Sequence, residues 1–159
     1  VARINGHVRA GGLGLVAACD VAIAAHDATF AFSEVRVGVV PAMIAVLCQP
    51  LMRPRDFSRY TLTGAAFGAA DAVTAGLVTA AVDADELDRA VDVVIDDLLA
   101  AAPAAIARTK SLAAELPALP AGARMAHAAQ VSATQFATDD AAEGIAAFRE
   151  KRRPRWAVP

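Results

Sequence analysis

The stretch Asn5-Gly6-His7-Val8-Arg9-Ala10-Gly11-Gly12-Leu13-Gly14 is the part of this chain best suited to chemistry. Small residues at 10, 11, 12 and 14 leave backbone N–H groups unscreened by side chains. An alanine-rich helical run follows at once, and the first turn of a helix adds amides without intrahelical acceptors and the positive end of its dipole. Such a loop holds an oxygen that is negative or strongly polarised: a phosphate, or an oxyanion that exists only during reaction. Glu34 is the second candidate. It ends a strand-like run containing Phe30 and Phe32 and precedes an apolar run at 37–40. A largely dry setting is therefore expected, which lifts a carboxyl pKa toward the range useful for proton transfer. The competing reading is a solvated carboxylate paired with Arg36. Phe148 and Lys151, three apart, are expected on one face of the last helix. His7, His26 and His127 have no metal-ligand spacing, and no Walker loop, zinc cluster or nucleophile elbow is present.

The elements that must position these residues follow from periodicity and breakers. Residues 1–4, 21–25 and 29–32 read as short strands, with a helix over 11–19 between the first two. Pro41 and Pro54 open helices, the second ended by Gly64. A helix over 71–75 is closed by Gly76, and 77–82 reads as a strand. Asp83-x-x-Glu86 has the form of a capping box before Leu87, Ala90, Val91, Val94, Ile95 and Leu98, which share a helical face. Pro103 opens a helix to about 116, 117–120 reads as a linker, and helices over 122–137 and 139–151 follow, with Thr138-Asp139 able to cap the second. Strands alternate with helices up to about residue 83 and only helices follow, which makes an α/β chain with a ββα core and a helical tail.

The chain has 159 residues, 57% of them hydrophobic, and a formal net charge of -2. That length suits one domain with a real core, and no basic face argues for nucleic acid. No apolar stretch is long and uncharged enough to span a membrane. The two cysteines, Cys19 and Cys48, read as small reduced thiols, and the chain as cytoplasmic.

Gly12-x-Gly14-x-x-Ala17 with Glu34 downstream also matches the dinucleotide-binding fingerprint. There, however, the first glycine follows the strand directly, whereas residues 6–11 separate Asn5 from Gly12 here. The stretch resembles the crotonase (enoyl-CoA hydratase/isomerase) family far more. The family shows a small-apolar strand, Asn-Gly, three variable residues, three small residues, and an apolar helix ending in Cys/Ser-Asp, here Cys19-Asp20. The resemblance continues through Ala28-Thr29-Phe30-Ala31-Phe32-Ser33-Glu34-Val35-Arg36-Val37-Gly38-Val39-Val40-Pro41. It resumes at Leu62-Thr63-Gly64 and Asp71-Ala72-Val73-Thr74-Ala75-Gly76-Leu77-Val78, and closes in Glu143-Gly144-Ile145-Ala146-Ala147-Phe148-Arg149-Glu150-Lys151-Arg152-Arg153-Pro154.

The resemblance implies a crotonase (ClpP/crotonase-like) fold. Residues 1–83 would form the C-terminal part of the core with the active-site loop, and 84–159 a helical tail for trimerisation and CoA contact, in a homotrimer or homohexamer. It also implies a segment before Val1 with the first strands, a mobile loop and the other oxyanion donor, without which the first strand is a sheet edge. The implied activity is that of an enoyl-CoA hydratase. Gly11 N–H holds the thioester oxyanion with Gly12 beside it, Glu34 falls on the family's second catalytic glutamate, and Phe148 and Lys151 meet the adenine and phosphates of CoA. CoA is the carrier portion of the substrate, and no metal or redox cofactor is implied. The family's first catalytic glutamate would fall on Gly14 and is absent. A single glutamate also suits an enoyl-CoA isomerase, and the small-Gly-Gly-x-Gly-Leu loop with Pro41-Ala42-Met43-Ile44 is nearest to methylglutaconyl-CoA-hydratase-like bacterial members. A non-catalytic acyl-CoA-binding subunit is the third reading. Asp20 is implied to be structural.

Overall fold

Alanine and β-branched residues build two small sheets, and both serve the loop at 5–14. β1 (Ala2–Ile4) runs parallel to β3 (Ala22–Ala25), and β3 runs parallel to β6 (Ala80–Val82), giving the order β1-β3-β6 with β1 at an edge. All four residues of β3 are buried, as expected for the central strand of a parallel sheet covered on both faces. The second sheet has the order β2-β4-β5. β2 (Val8–Arg9) lies parallel to β4 (Thr29–Ala31), while β5 (Phe67–Gly68) runs antiparallel to it. The structure, a computed structural model, describes residues 1–157. It divides into two compact units, Val1–Val94 and Ile95–Pro159.

In the first unit, α1 (Gly11–Ala17) packs on α2 (Ala42–Cys48), and α3 (Pro54–Thr63) and α4 (Ala69–Ala75) complete the layer. Behind the loop lies an aromatic cluster. Tyr60 stacks on Phe67 with ring centroids 3.9 Å apart, Phe30 and Phe32 flank Phe67, and Phe57 meets Phe32 edge-on at 5.9 Å. Gly76 closes α4 at φ 91°, and a Cβ there would sit 2.4 Å from the carbonyl oxygen of Leu51. α5 (Leu87–Ala100) starts here and buries Leu87 and Val91 beside Ile23 and Ala25.

The second unit holds α6 (Pro103–Ala118), α7 (Ala121–Phe136) and α8 (Asp139–Arg149). Thr138 caps α8, its hydroxyl accepting from the N–H of Ala141 at 3.2 Å. Trp156 donates its indole N–H to the carbonyl of Ala100 at 3.2 Å.

Several expectations need correction. The turn 5–10 contains β2, and β5 precedes α4; both strands are two residues long and exist because β4 pairs with them. The helix read as 11–19 stops at Ala17. No capping box forms at Asp83: residues Ala84–Glu86 make a 3-10 turn, and Glu86 pairs with Arg89 instead. The 117–120 linker shrinks because α6 continues through Pro117 to Ala118. Ile95 and Leu98 are exposed, so the buried stripe of α5 is shorter than its periodicity.

Candidate active site

The pairing of β2 with β4 ties together the two segments that carry the candidate groups. The N–H of Ala10, just past β2, donates to the carbonyl of Ala31 at 3.2 Å, and Glu34 lies three residues beyond that partner. Ala10 itself sits at φ 47°, ψ -124°, in a region L-residues rarely adopt, at a cost of about 1–3 kcal/mol. Its carbonyl accepts from Leu13 N–H at 2.9 Å, which starts α1 one residue later. Gly11 and Gly12 are therefore the first residues of the helix, and their amides have no intrahelical acceptor. Gly11 is exposed, and nothing lies within 4 Å of where its Cβ would be.

Glu34 does not end a strand. It lies in a 3-10 turn, Ser33–Val37, closed by Gly38 at φ 77°, and its own carbonyl accepts from Val39 N–H at 3.1 Å. The side chain is half-buried, and its Oε2 is the one buried side-chain oxygen or nitrogen among the described residues without a hydrogen-bond partner. Leaving such an atom unpaired costs free energy, and a catalytic role is one of the reasons a native fold keeps one. The Arg36 alternative fails: its guanidinium Nε donates to the carbonyl of Thr63 at 2.8 Å. The run expected to cover Glu34 is itself exposed at Val37, Val39 and Val40.

The inner wall near Glu34 is apolar. Cys48 is fully buried, and its Sγ approaches the carbonyl of Leu13 at 3.7 Å. Burial first and the nearby Glu34 carboxylate second push this thiol up to about 11, so it stays neutral at ordinary pH. Both cysteines are free. Cys48 and the strained Ala10 were not singled out from the sequence as site residues; an L-residue at positive φ leaves no trace in composition or periodicity.

Phe148 and Lys151 belong to the second unit, and Gly11 and Glu34 to the first. Phe148 is 85% exposed, so it is not a core residue. Lys151 does not share the face of α8, which ends at Arg149. It sits at φ 54° in the turn that closes the helix. Lys151 N–H bonds to Phe148 O at 3.3 Å and Arg152 N–H to Ala147 O at 3.0 Å, the paired pattern of a Schellman motif with lysine at the position glycine usually takes.

The family model for enoyl-CoA hydratase/isomerase matches residues 1–158. The chain belongs to the enoyl-CoA hydratase/isomerase family. A carnitinyl-CoA dehydratase of Salmonella typhi is 32% identical over 162 residues, covering 98% of this chain and 62% of that protein. Among solved structures, an enoyl-CoA hydratase of Mycobacterium smegmatis is 32% identical with a TM-score of 0.88, over 96% of this chain and 60% of that one. An enoyl-CoA hydratase/isomerase from Marinobacter aquaeolei is 31% identical with a TM-score of 0.91, over 96% and 58%. The chain thus has the crotonase fold and spans about 62% of the length of the curated relatives it matches. No helix among the described residues is long and apolar enough to cross a membrane.

Proposed function

We propose that this chain acts as an enoyl-CoA hydratase with Glu34 as its acid–base group, adding water across the 2,3 double bond of an enoyl-CoA thioester. The observation that carries the reading is the buried, unpartnered Oε2 of Glu34 in a member of this family whose α1 begins at Gly11. The Gly11 amide, with Gly12 beside it, holds the thioester oxygen as the enolate forms; one such donor typically contributes about 10²–10³ in rate. Glu34 takes a proton from water as the hydroxyl adds to the β-carbon and returns it to the α-carbon. Phe148 and Lys151 contact the adenine and phosphates of CoA, the assembly is a homotrimer or homohexamer, and no metal or redox group takes part. The carnitinyl-CoA dehydratase relatives support water chemistry on a CoA thioester. Proton transfer between two carbons, as in an enoyl-CoA isomerase, is the second reading, favoured by the absence of a side chain at Gly14.

The test is turnover of crotonyl-CoA and 3-methylglutaconyl-CoA, followed as loss of the enoyl thioester absorbance. Glu34→Gln keeps size and polarity but removes the transferable proton. Its rate should fall by about 10²-fold or more, with acyl-CoA binding retained. An unchanged rate removes Glu34 from the mechanism. Acyl-CoA binding without turnover of any enoyl-CoA by the unmodified protein points to a non-catalytic subunit.

A further inference from the structure

Where α1 packs on α2, the space beside Gly14 is closed by a specific pair. Gly14 is buried in α1, and a Cβ built on it would lie 2.9 Å from Cγ2 of Ile44 and 3.5 Å from its Cβ. Ile44 is itself only 7% exposed and stands one helical turn before Cys48 on the buried face of α2. Cys48 in turn meets the carbonyl of Leu13, the residue before Gly14. Isoleucine branches at Cβ, so its Cγ2 methyl cannot swing away without moving the whole rotamer. The space that any side chain at position 14 needs is already occupied.

We propose that Ile44 and Gly14 form a matched pair that keeps a second ionisable group out of the site and leaves Glu34 to act alone. The proposal rests on the reading of Glu34 given above. Ile44 is a positioning residue here: it touches no reacting atom, but it fixes how many carboxylates can. The ionisable groups next to Glu34 that the structure identifies agree with this: the Cys48 thiol of α2 stays neutral, and Arg36 of Glu34's own turn donates to the carbonyl of Thr63. A reaction served by one carboxylate has one ionisation limb in its pH–rate profile, whereas an acid–base pair gives two.

Two measurements on the protein decide the matter. The first is a stability cycle. Glycine within a helix is ordinarily improved by alanine, yet overpacking a tight contact destabilises. Gly14→Ala should therefore lower Tm by roughly 5 °C with Ile44 present. In the Ile44→Ala background the same change should raise Tm or leave it unmoved. Equal effects in both backgrounds overturn the proposal. The second is the pH profile of enoyl-CoA turnover. The unmodified protein and Ile44→Ala should show one limb, and Gly14→Glu with Ile44→Ala should show two. A two-limbed profile in the unmodified protein overturns the single-carboxylate part. If the unmodified protein turns over no enoyl-CoA, the functional reading falls, and the stability cycle still decides whether Ile44 excludes a side chain at 14.

Discussion

Ala10 and Lys151 are the two non-glycine residues at positive φ among the described residues, and each adjoins a group assigned to the substrate. Strain of this kind persists where surrounding structure imposes it, and it concentrates at functional positions. At Ala10 the imposing contacts are the bonds to Ala31 and Leu13, on the residue just before Gly11. Ala10→Gly removes the Cβ conflict but adds unfolded-state entropy, so its stability should stay within about 1 kcal/mol of the parent. Ala10→Val, β-branched at the same φ, should lose about 2 kcal/mol or more and weaken enolate stabilisation. Thermal unfolding compares the two; a valine variant as stable as the glycine variant contradicts the strained turn. At Lys151 the helix-closing motif prefers glycine, and Lys151→Gly should gain about 1 kcal/mol of stability. If the ammonium meets the phosphates of CoA, the same substitution should weaken acyl-CoA binding. A gain in Tm with a loss in affinity is the expected pair of results, and unchanged affinity removes Lys151 from the ligand.

The elements were legible where local chemistry alone decides them. Pro41, Pro54 and Pro103 open helices, Gly64 and Gly76 close them in left-handed conformations, and Thr138 caps α8. What escaped are elements made by a partner. Val8–Arg9 and Phe67–Gly68 are strands only because β4 lies between them, and two residues carry no periodicity to read. The run through Phe30 and Phe32 reads as a strand that Glu34 ends, but Ser33–Val37 form a 3-10 turn closed by Gly38 at φ 77°, so Glu34 stands at a bend instead of a strand end. The position of Glu34 was thus readable as a motif and its local geometry was not. Gly14 was readable as a missing side chain, but Ile44, which fills that space, sits thirty residues away in sequence. Gly76 offers the sharpest element-level test. Any Cβ there meets the Leu51 backbone carbonyl, which is pinned where α4 ends, and φ 91° is itself unfavourable for an L-residue. Gly76→Ala should cost about 3 kcal/mol, the sum of the backbone strain and the overpacking. Denaturant unfolding measures it, and a loss below about 1 kcal/mol would mean that α4 and the Leu51 segment move apart easily.

At the scale of the whole molecule, acid should act unequally on the two units. The carboxylates held well below the usual glutamate value of 4.5 both belong to the second unit. Glu115 is brought down to about 2 by the Arg108 guanidinium first and by His127 next, with Nε2 of His127 2.6 Å from its Oε2. Glu143 is brought down to about 2 by Arg152 first, which grips it with two N–H groups at 2.7 and 3.0 Å, and by the backbone N–H of Arg155. A carboxyl whose folded pKa is depressed binds fewer protons folded than unfolded, so it stabilises fully above about 4.5 and loses that contribution as pH falls toward about 2. The chain carries its own reporters, since it has one tryptophan and one tyrosine. Trp156 follows the Arg152–Glu143 clamp and rests beside Gly144 in the second unit, while Tyr60 is buried in the aromatic cluster of the first. Acidification from pH 5 to about 2 should shift Trp156 fluorescence before the near-ultraviolet dichroism of Tyr60 fades. Glu143→Gln should flatten the Trp156 response over that window, because its amide no longer carries the charge that Arg152 holds. Simultaneous loss of both signals, with no effect of the glutamine substitution, would show that the clamp does not govern the acid stability of the helical unit.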